Sequence, residues 1–301
     1  MSLPVPLCDD EVPAFWQALG IPGLVDVHTH FMPPRLLSAV WSYFDAQGPL
    51  IGRPWPLAYR LDEDERLDRL RALGVRAFPA LLYPHKPGMA AGLNAWAADF
   101  AARTPGCLSS ATFFPEPDVA KYVAAALAGG TRVFKAHVQV GNYDPRDPLL
   151  DAVWGQLTDA AVPVVVHCGS GPVPNRWTGP GPMAEVLARH PRLVLVVAHL
   201  GAPEYAEFLA LAAAYPRTYL DTTMCFTSFH AEFAPFPESL LPRLHGLQDR
   251  VLFGSDFPQI PYPYAEQVAA LAGLGFDDDW LRAVLWGNGA ALFDLGSDAR
   301  D

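Results

Sequence analysis

The chain has 301 residues, 51% of them hydrophobic, enough to bury a large core without disordered stretches. Its 32 acidic residues against 21 basic ones leave a formal charge of −11, which argues against a nucleic-acid-binding surface, since that needs a clustered basic face. Cys8, Cys107, Cys168 and Cys225 show no CxxC or finger spacing, residues 1–8 lack a basic leader pattern, and no apolar run nears the ~20 residues of a membrane span, so a cytoplasmic enzyme is the expectation.

Residues before Leu24 form an N-terminal lead-in. Short apolar runs rich in β-branched residues then predict eight strands, at 24–28, 75–82, 108–114, 132–138, 163–167, 193–199, 218–222 and 250–254. Ala/Leu-rich amphipathic segments lie between them, among them 119–128, 149–160, 183–189 and 204–214. The stretch 31–60 is longer than an ordinary loop after a first strand, and its Trp, Tyr and Pro content suits a lid, with Trp41, Tyr43, Trp55 and Tyr59 as its packing. The run 62–71 alternates charge at helical spacing and reads as a solvated helix face. After the eighth repeat, 277–295 reads as an extra C-terminal helix, with Asp277 capping 278–286 and Gly287 and Gly289 marking its end.

Near-continuous hydrophobicity in 162–166 and 194–198 suggests parallel strands covered on both faces. Eight β-then-α repeats of this kind are best accommodated by a (β/α)8 TIM barrel, read here as a single domain over 1–301. An open doubly wound sheet is the runner-up, although no GxGxxG fingerprint follows the first strand. The 31 prolines are spread through the chain and mark no linker.

Polar residues sit at the ends of these strands, where an apolar pattern would not put them. The first ends Val25-Asp26-Val27-His28-Thr29-His30, and residues two apart on a strand share a side, so both imidazoles can reach one point. A lone HxH suits structural histidines equally well. The fifth strand, however, ends in His167, the sixth in His199 and the eighth in Gly254-Ser255-Asp256, while the fourth carries Lys135 with His137 two residues on. Six ionisable groups at the C-terminal ends of five strands converge above a barrel, the end where such enzymes keep their active sites. The alternative, a hydrogen-bonded core role, must be invoked six times at the same end of the fold.

His28-Thr29-His30, His167, His199 and Asp256, in this order and at these strand ends, resemble the amidohydrolase superfamily, and the wording of the motifs is most similar to its amidohydrolase-2 branch. Matching phrases are Val165-Val166-His167-Cys168-Gly169, Ala198-His199-Leu200-Gly201, Gly254-Ser255-Asp256-Phe257-Pro258 and Gly287-Asn288-Gly289-Ala290. That branch includes aminocarboxymuconate-semialdehyde decarboxylase and pyrone-dicarboxylate lactonase.

The resemblance implies that His28, His30, His167 and Asp256 bind one divalent metal. Zinc suits neutral imidazoles with a carboxylate and an open position for water. It also implies Asp256 as the base, and His199 as the group that polarises the substrate, steadies the water or binds a second metal. Lys135 is open between two roles, a carboxylated bridge between two metals or an ammonium facing Asp256 or a substrate carboxylate. Arg176 and Trp177 are the candidate substrate grip, against the alternative of a surface arginine stacked on a loop tryptophan. The resulting expectation is a metal-dependent hydrolase of a small amide, lactone or ester, with non-oxidative decarboxylation of a small aromatic or dienoic acid as the alternative. Its partner is a small molecule rather than nucleic acid or membrane, and a homodimer is compatible with the chain.

Overall fold

The computed structural model describes residues 5–46 and 54–296. Among them the strands are, in chain order, β1 (Leu24–Val25), β2 (Val75–Pro79), β3 (Cys107–Leu108), β4 (Ser110–Thr112), β5 (Val133–His137), β6 (Val164–His167), β7 (Leu195–Val197), β8 (Thr218–Asp221) and β9 (Val251–Leu252). The expected third strand is split into β3 and β4, and most of the others are a few residues shorter than their apolar runs. The chain divides into two compact units, one of residues 1–78 with 222–301 and one of residues 79–221.

In the first unit β1 pairs in parallel with β2, Leu24 opposite Val75 and Val25 opposite Ala77. Its other edge meets the last strand. The N–H of Val27 donates to the carbonyl of Phe253 at 2.9 Å, that of Asp256 to His28 at 2.8 Å and that of His30 to Phe257 at 2.7 Å. The first strand thus lies between the second and the last. A sheet that closes into a barrel requires this adjacency, whereas the common open doubly wound strand orders do not form it.

The helix Glu63–Leu73 opens with a capping box, the Asp62 carboxylate accepting the N–H of Glu65 while the Glu65 side chain accepts that of Asp62. The solvated face expected over 62–71 is present, with Asp62, Asp64, Glu65, Asp68 and Arg71 exposed, but the opposite side of the helix is buried. Leu67, Leu70 and Arg66 are buried, and the Arg66 guanidinium lies over the Phe31 ring at 5.2 Å, because its long apolar stem can enter a core while the cation stacks on an aromatic.

The C-terminal helix is also longer than expected. Asp277 caps it, accepting the N–H of Trp280, but the helix passes Gly287 through a π-turn at Ala283–Gly287 and continues over Asn288–Leu292. Gly289 serves packing rather than termination, since a Cβ there would lie 2.7 Å from a methyl of Val25.

In the long stretch after β1, Pro34–Ala46 is helical, and residues 47–53 lie outside the described residues. Trp55 and Tyr59 are buried within their own unit. The Trp55 indole donates to the carbonyl of Gln259 and the Tyr59 hydroxyl to Asp9.

The second unit carries β4 to β8 side by side in sequence order, all parallel. The intervening helices are Val119–Ala128, Pro148–Ala160, Pro180–Arg189 and Tyr205–Ala214. All four residues of β6 are buried, as strands covered on both faces require. The register sets Lys135 beside Val165 and His137 beside His167, so each pair forms a row across the sheet.

Candidate metal centre

Beyond β1, Thr29 bridges in parallel to Phe257, and the histidines on either side of it bring their ring centroids to 5.1 Å from each other. His28 Nε2 lies 3.5 Å and His30 Nε2 2.8 Å from Oδ1 of Asp256, and the three ligand atoms fall within 4.8 Å of one another. Both histidines are buried, and the Asp256 side chain keeps 13% of its exposure. Two imidazoles with a carboxylate are a zinc-type donor set. With bonds of about 2.0–2.1 Å, tetrahedral ligand atoms stand roughly 3.3 Å apart. The His28–Asp256 separation already matches. The His30–Asp256 contact is a hydrogen bond that a cation would open by about half an ångström. The residues fit a divalent metal.

Asp256 has φ of 68°, a left-handed conformation that aspartate tolerates better than most residues with a Cβ. Hydrogen bonds hold the backbone around it. Asp26, two residues before His28 and fully buried, accepts the N–H of His28 and the N–H of Ser255 on Oδ1, both at 3.1 Å. Its Oδ2 accepts the hydroxyls of Ser255 at 2.5 Å and Tyr264 at 2.9 Å. Burial pushes the Asp26 carboxyl up to about 7 against these bonds, which favour its ionised form. The sequence places Asp26 in the same alternation as the histidines, but nothing local marks Ser255 and Tyr264 as its partners.

The second unit gathers Lys135, His137, His167 and His199. Lys135 is fully buried in β5. His167, at the end of β6, stacks on His137 with ring centroids 4.1 Å apart and planes 10° apart, and meets His199 edge-on at 4.8 Å. Its Nε2 lies 2.9 Å from the carbonyl oxygen of Gly171. A carbonyl only accepts, so Nε2 donates in this bond; His167 is not in the cluster of ligand atoms formed by His28, His30 and Asp256. His199 sits in a left-handed turn after β7, φ 55°, and its N–H donates to the buried carboxylate of Asp221 at 2.8 Å. His137 and Asp221 thus support the histidines; the sequence sets His137 two residues from Lys135 without pairing it to His167, and Asp221 does not stand out in it. Cys168 follows His167 in the chain, but burial pushes its thiol well up, so it is not a ready thiolate nucleophile.

Arg176 is exposed and its guanidinium lies 4.1 Å from the Trp177 ring centroid, with Arg146 over the same ring at 5.9 Å. This stacking satisfies the structural alternative for the pair and leaves a grip on substrate as a proposal. Of the remaining histidines, His85 is exposed, His190 pairs with Asp151 at 3.1 Å, His245 packs on Phe276 and His230 is buried.

The profile of the Amidohydrolase family matches residues 25–295. No curated protein matches the chain in sequence. Among solved structures, an uncharacterized TIM-barrel protein from Bordetella bronchiseptica is 20% identical, with 90% of this chain and 99% of that one covered at a TM-score of 0.72. A probable 2-pyrone-4,6-dicarboxylic acid hydrolase from Acinetobacter baumannii is 13% identical, covering 91% and 100%, at 0.59. A 2,6-dihydroxybenzoate decarboxylase is 18% identical, covering 91% and 100%, at 0.62. These likenesses establish a shared fold, the TIM barrel, in agreement with the adjacency of the first and last strands. No helix among the described residues is long and apolar enough to cross a membrane.

Proposed function

The chain belongs to the amidohydrolase-2 family, and from that premise we propose that it is a metal-dependent hydrolase of a small amide, lactone or ester. The observation that carries the reading is the convergence of His28, His30 and Asp256 in one cluster of ligand atoms. In the proposal these three residues hold the metal, and His167 is the fourth ligand. A divalent ion so held, zinc by the donor set, supplies Lewis acidity that activates water as a nucleophile near neutral pH.

The rest of the chemistry falls to the chain's own groups. Asp256, left partly exposed, takes the proton of the attacking water and returns it to the leaving group. His199 steadies the water or the substrate carbonyl by a hydrogen bond. Lys135, as an ammonium, favours substrates with a negative group; carboxylated, it would bridge a second metal. Arg176 and Trp177 offer a cation and an aromatic face to an anionic or aromatic substrate.

The second reading, decarboxylation, draws on the likeness to the dihydroxybenzoate decarboxylase. A screen of small lactones, amides, esters and carboxylated aromatic acids separates the two, with acid release and carbon dioxide both followed. The hydrolase reading expects acid release that stops on chelation and returns with added zinc. Carbon dioxide from an aromatic acid without any bond opened by water would favour the decarboxylase. Full-rate turnover after complete metal removal would contradict both.

A further inference from the structure

We propose that Asp26 is a positioning residue that holds the metal ligands in binding geometry before any metal arrives. The inference rests on the metal-centre reading and extends it to a residue that does not itself ligate. Its first support is where the four hydrogen bonds come from. One carboxylate oxygen takes the N–H groups of His28 and Ser255, at 3.1 Å each, so a single atom ties the extension of β1 to the extension of β9. His28 is a ligand residue and Ser255 immediately precedes another.

The second support is how the clamp continues around Asp256. The Ser255 hydroxyl donates to Asp26 Oδ2 at 2.5 Å and accepts the N–H of Phe257 at 3.0 Å, so the residues on both sides of Asp256 are fixed. Gln267 donates to the Ser255 carbonyl at 2.7 Å, and Tyr264 completes the set on Asp26 Oδ2. Asp256 itself stands in a left-handed conformation that an unsupported chain would leave. A fully buried carboxylate is costly, and an apolar side chain would pack here more cheaply if adhesion between strands were all that was needed. What an apolar residue cannot do is accept four directed bonds and so set the separation of His28 from Asp256.

Ligand-orienting partners of this kind typically change metal affinity or activity by about 10–100-fold when removed. The test is titration of the metal-free protein with Co²⁺, followed by visible absorption, for wild type, Asp26→Asn and Tyr264→Phe, with thermal unfolding of each metal-free protein alongside. The inference expects Asp26→Asn to bind Co²⁺ about 10–100-fold more weakly, with shifted absorption bands that report altered ligand geometry. Tyr264→Phe removes one bond of the four and keeps the fold accessible should the first variant fail to fold; it is expected to weaken binding a few-fold in the same direction. A merely structural tie would lower the unfolding temperature while leaving the Co²⁺ affinity and spectrum unchanged, and that result in a folded variant overturns the inference alone. Wild-type protein that takes up no Co²⁺ overturns the metal reading and this inference with it.

Discussion

Asp256 combines three properties seldom found in one residue: a left-handed backbone, partial exposure and two imidazoles within 3.5 Å of one oxygen. Replacing it by asparagine isolates its chemistry. Asparagine tolerates the same backbone region and keeps a carbonyl oxygen toward the histidines, but it cannot carry a proton from water to a leaving group. Asp256→Asn is therefore expected to lower kcat by about 10²–10⁴-fold while retaining much of the bound metal. The check is turnover of the metal-loaded variant beside its metal content. Near-normal kcat would transfer the base role to another group, His199 first. His28, His30 and Asp256 were legible in the sequence because each breaks an apolar run at a strand end. Asp26 breaks the same run, but its role lies in a bond to Ser255, 229 positions away, which no local pattern encodes. His137 stood out in the sequence only for its place two residues from Lys135, and the register beside His167 is what reveals the stack.

At the scale of elements, apolar runs located the strands well and their ends poorly. The run 193–199 yields a strand only over Leu195–Val197, because His199 and Leu200 turn into left-handed conformations that no ladder accommodates. A strand's side-chain pattern continues past its last ladder bond, so hydrophobicity overestimates length. Glycine misled in the opposite sense at the C-terminus. Gly287 and Gly289 read as a stop, but Gly289 is where the helix meets β1, and that contact is legible only in three dimensions. Gly289→Ala would press a Cβ within 2.7 Å of Val25, and overpacking of this kind costs about 1–3 kcal/mol. Gly287→Ala is the comparison: its nearest neighbour is a carbonyl oxygen of its own helix at 3.6 Å, so helix propensity should make it neutral or stabilising by up to ~1 kcal/mol. Denaturant unfolding of the two variants measures the difference, and equal stabilities would refute the packing role of Gly289.

For the whole molecule, the repeated β-then-α order and polar strand ends made the TIM barrel legible, and the backbone bonds between the segments that follow β1 and β9, together with the likeness to solved TIM-barrel structures, favour it over an open sheet. Global stability adds a pH signature. His230 is buried, and desolvation lowers its pKa from 6.5 to about 4, so below pH 6.5 the unfolded chain binds a proton that the folded chain refuses. Stability is therefore lost as pH falls from about 6.5 toward 4, by up to about 3 kcal/mol from this residue alone. His230→Phe should flatten that part of the profile in unfolding experiments across pH 4–8, and an unchanged slope would assign the loss elsewhere. The metal centre is the claim on which the functional account depends, and metal content of gently purified protein tests it most directly, measured by elemental analysis on wild type and on a His28→Ala/His30→Ala variant. The account predicts about one divalent transition metal per wild-type chain, two if Lys135 is carboxylated, and almost none in the folded variant. A variant that retains the wild-type metal content, or metal-free wild type that turns over substrate at full rate, would contradict it.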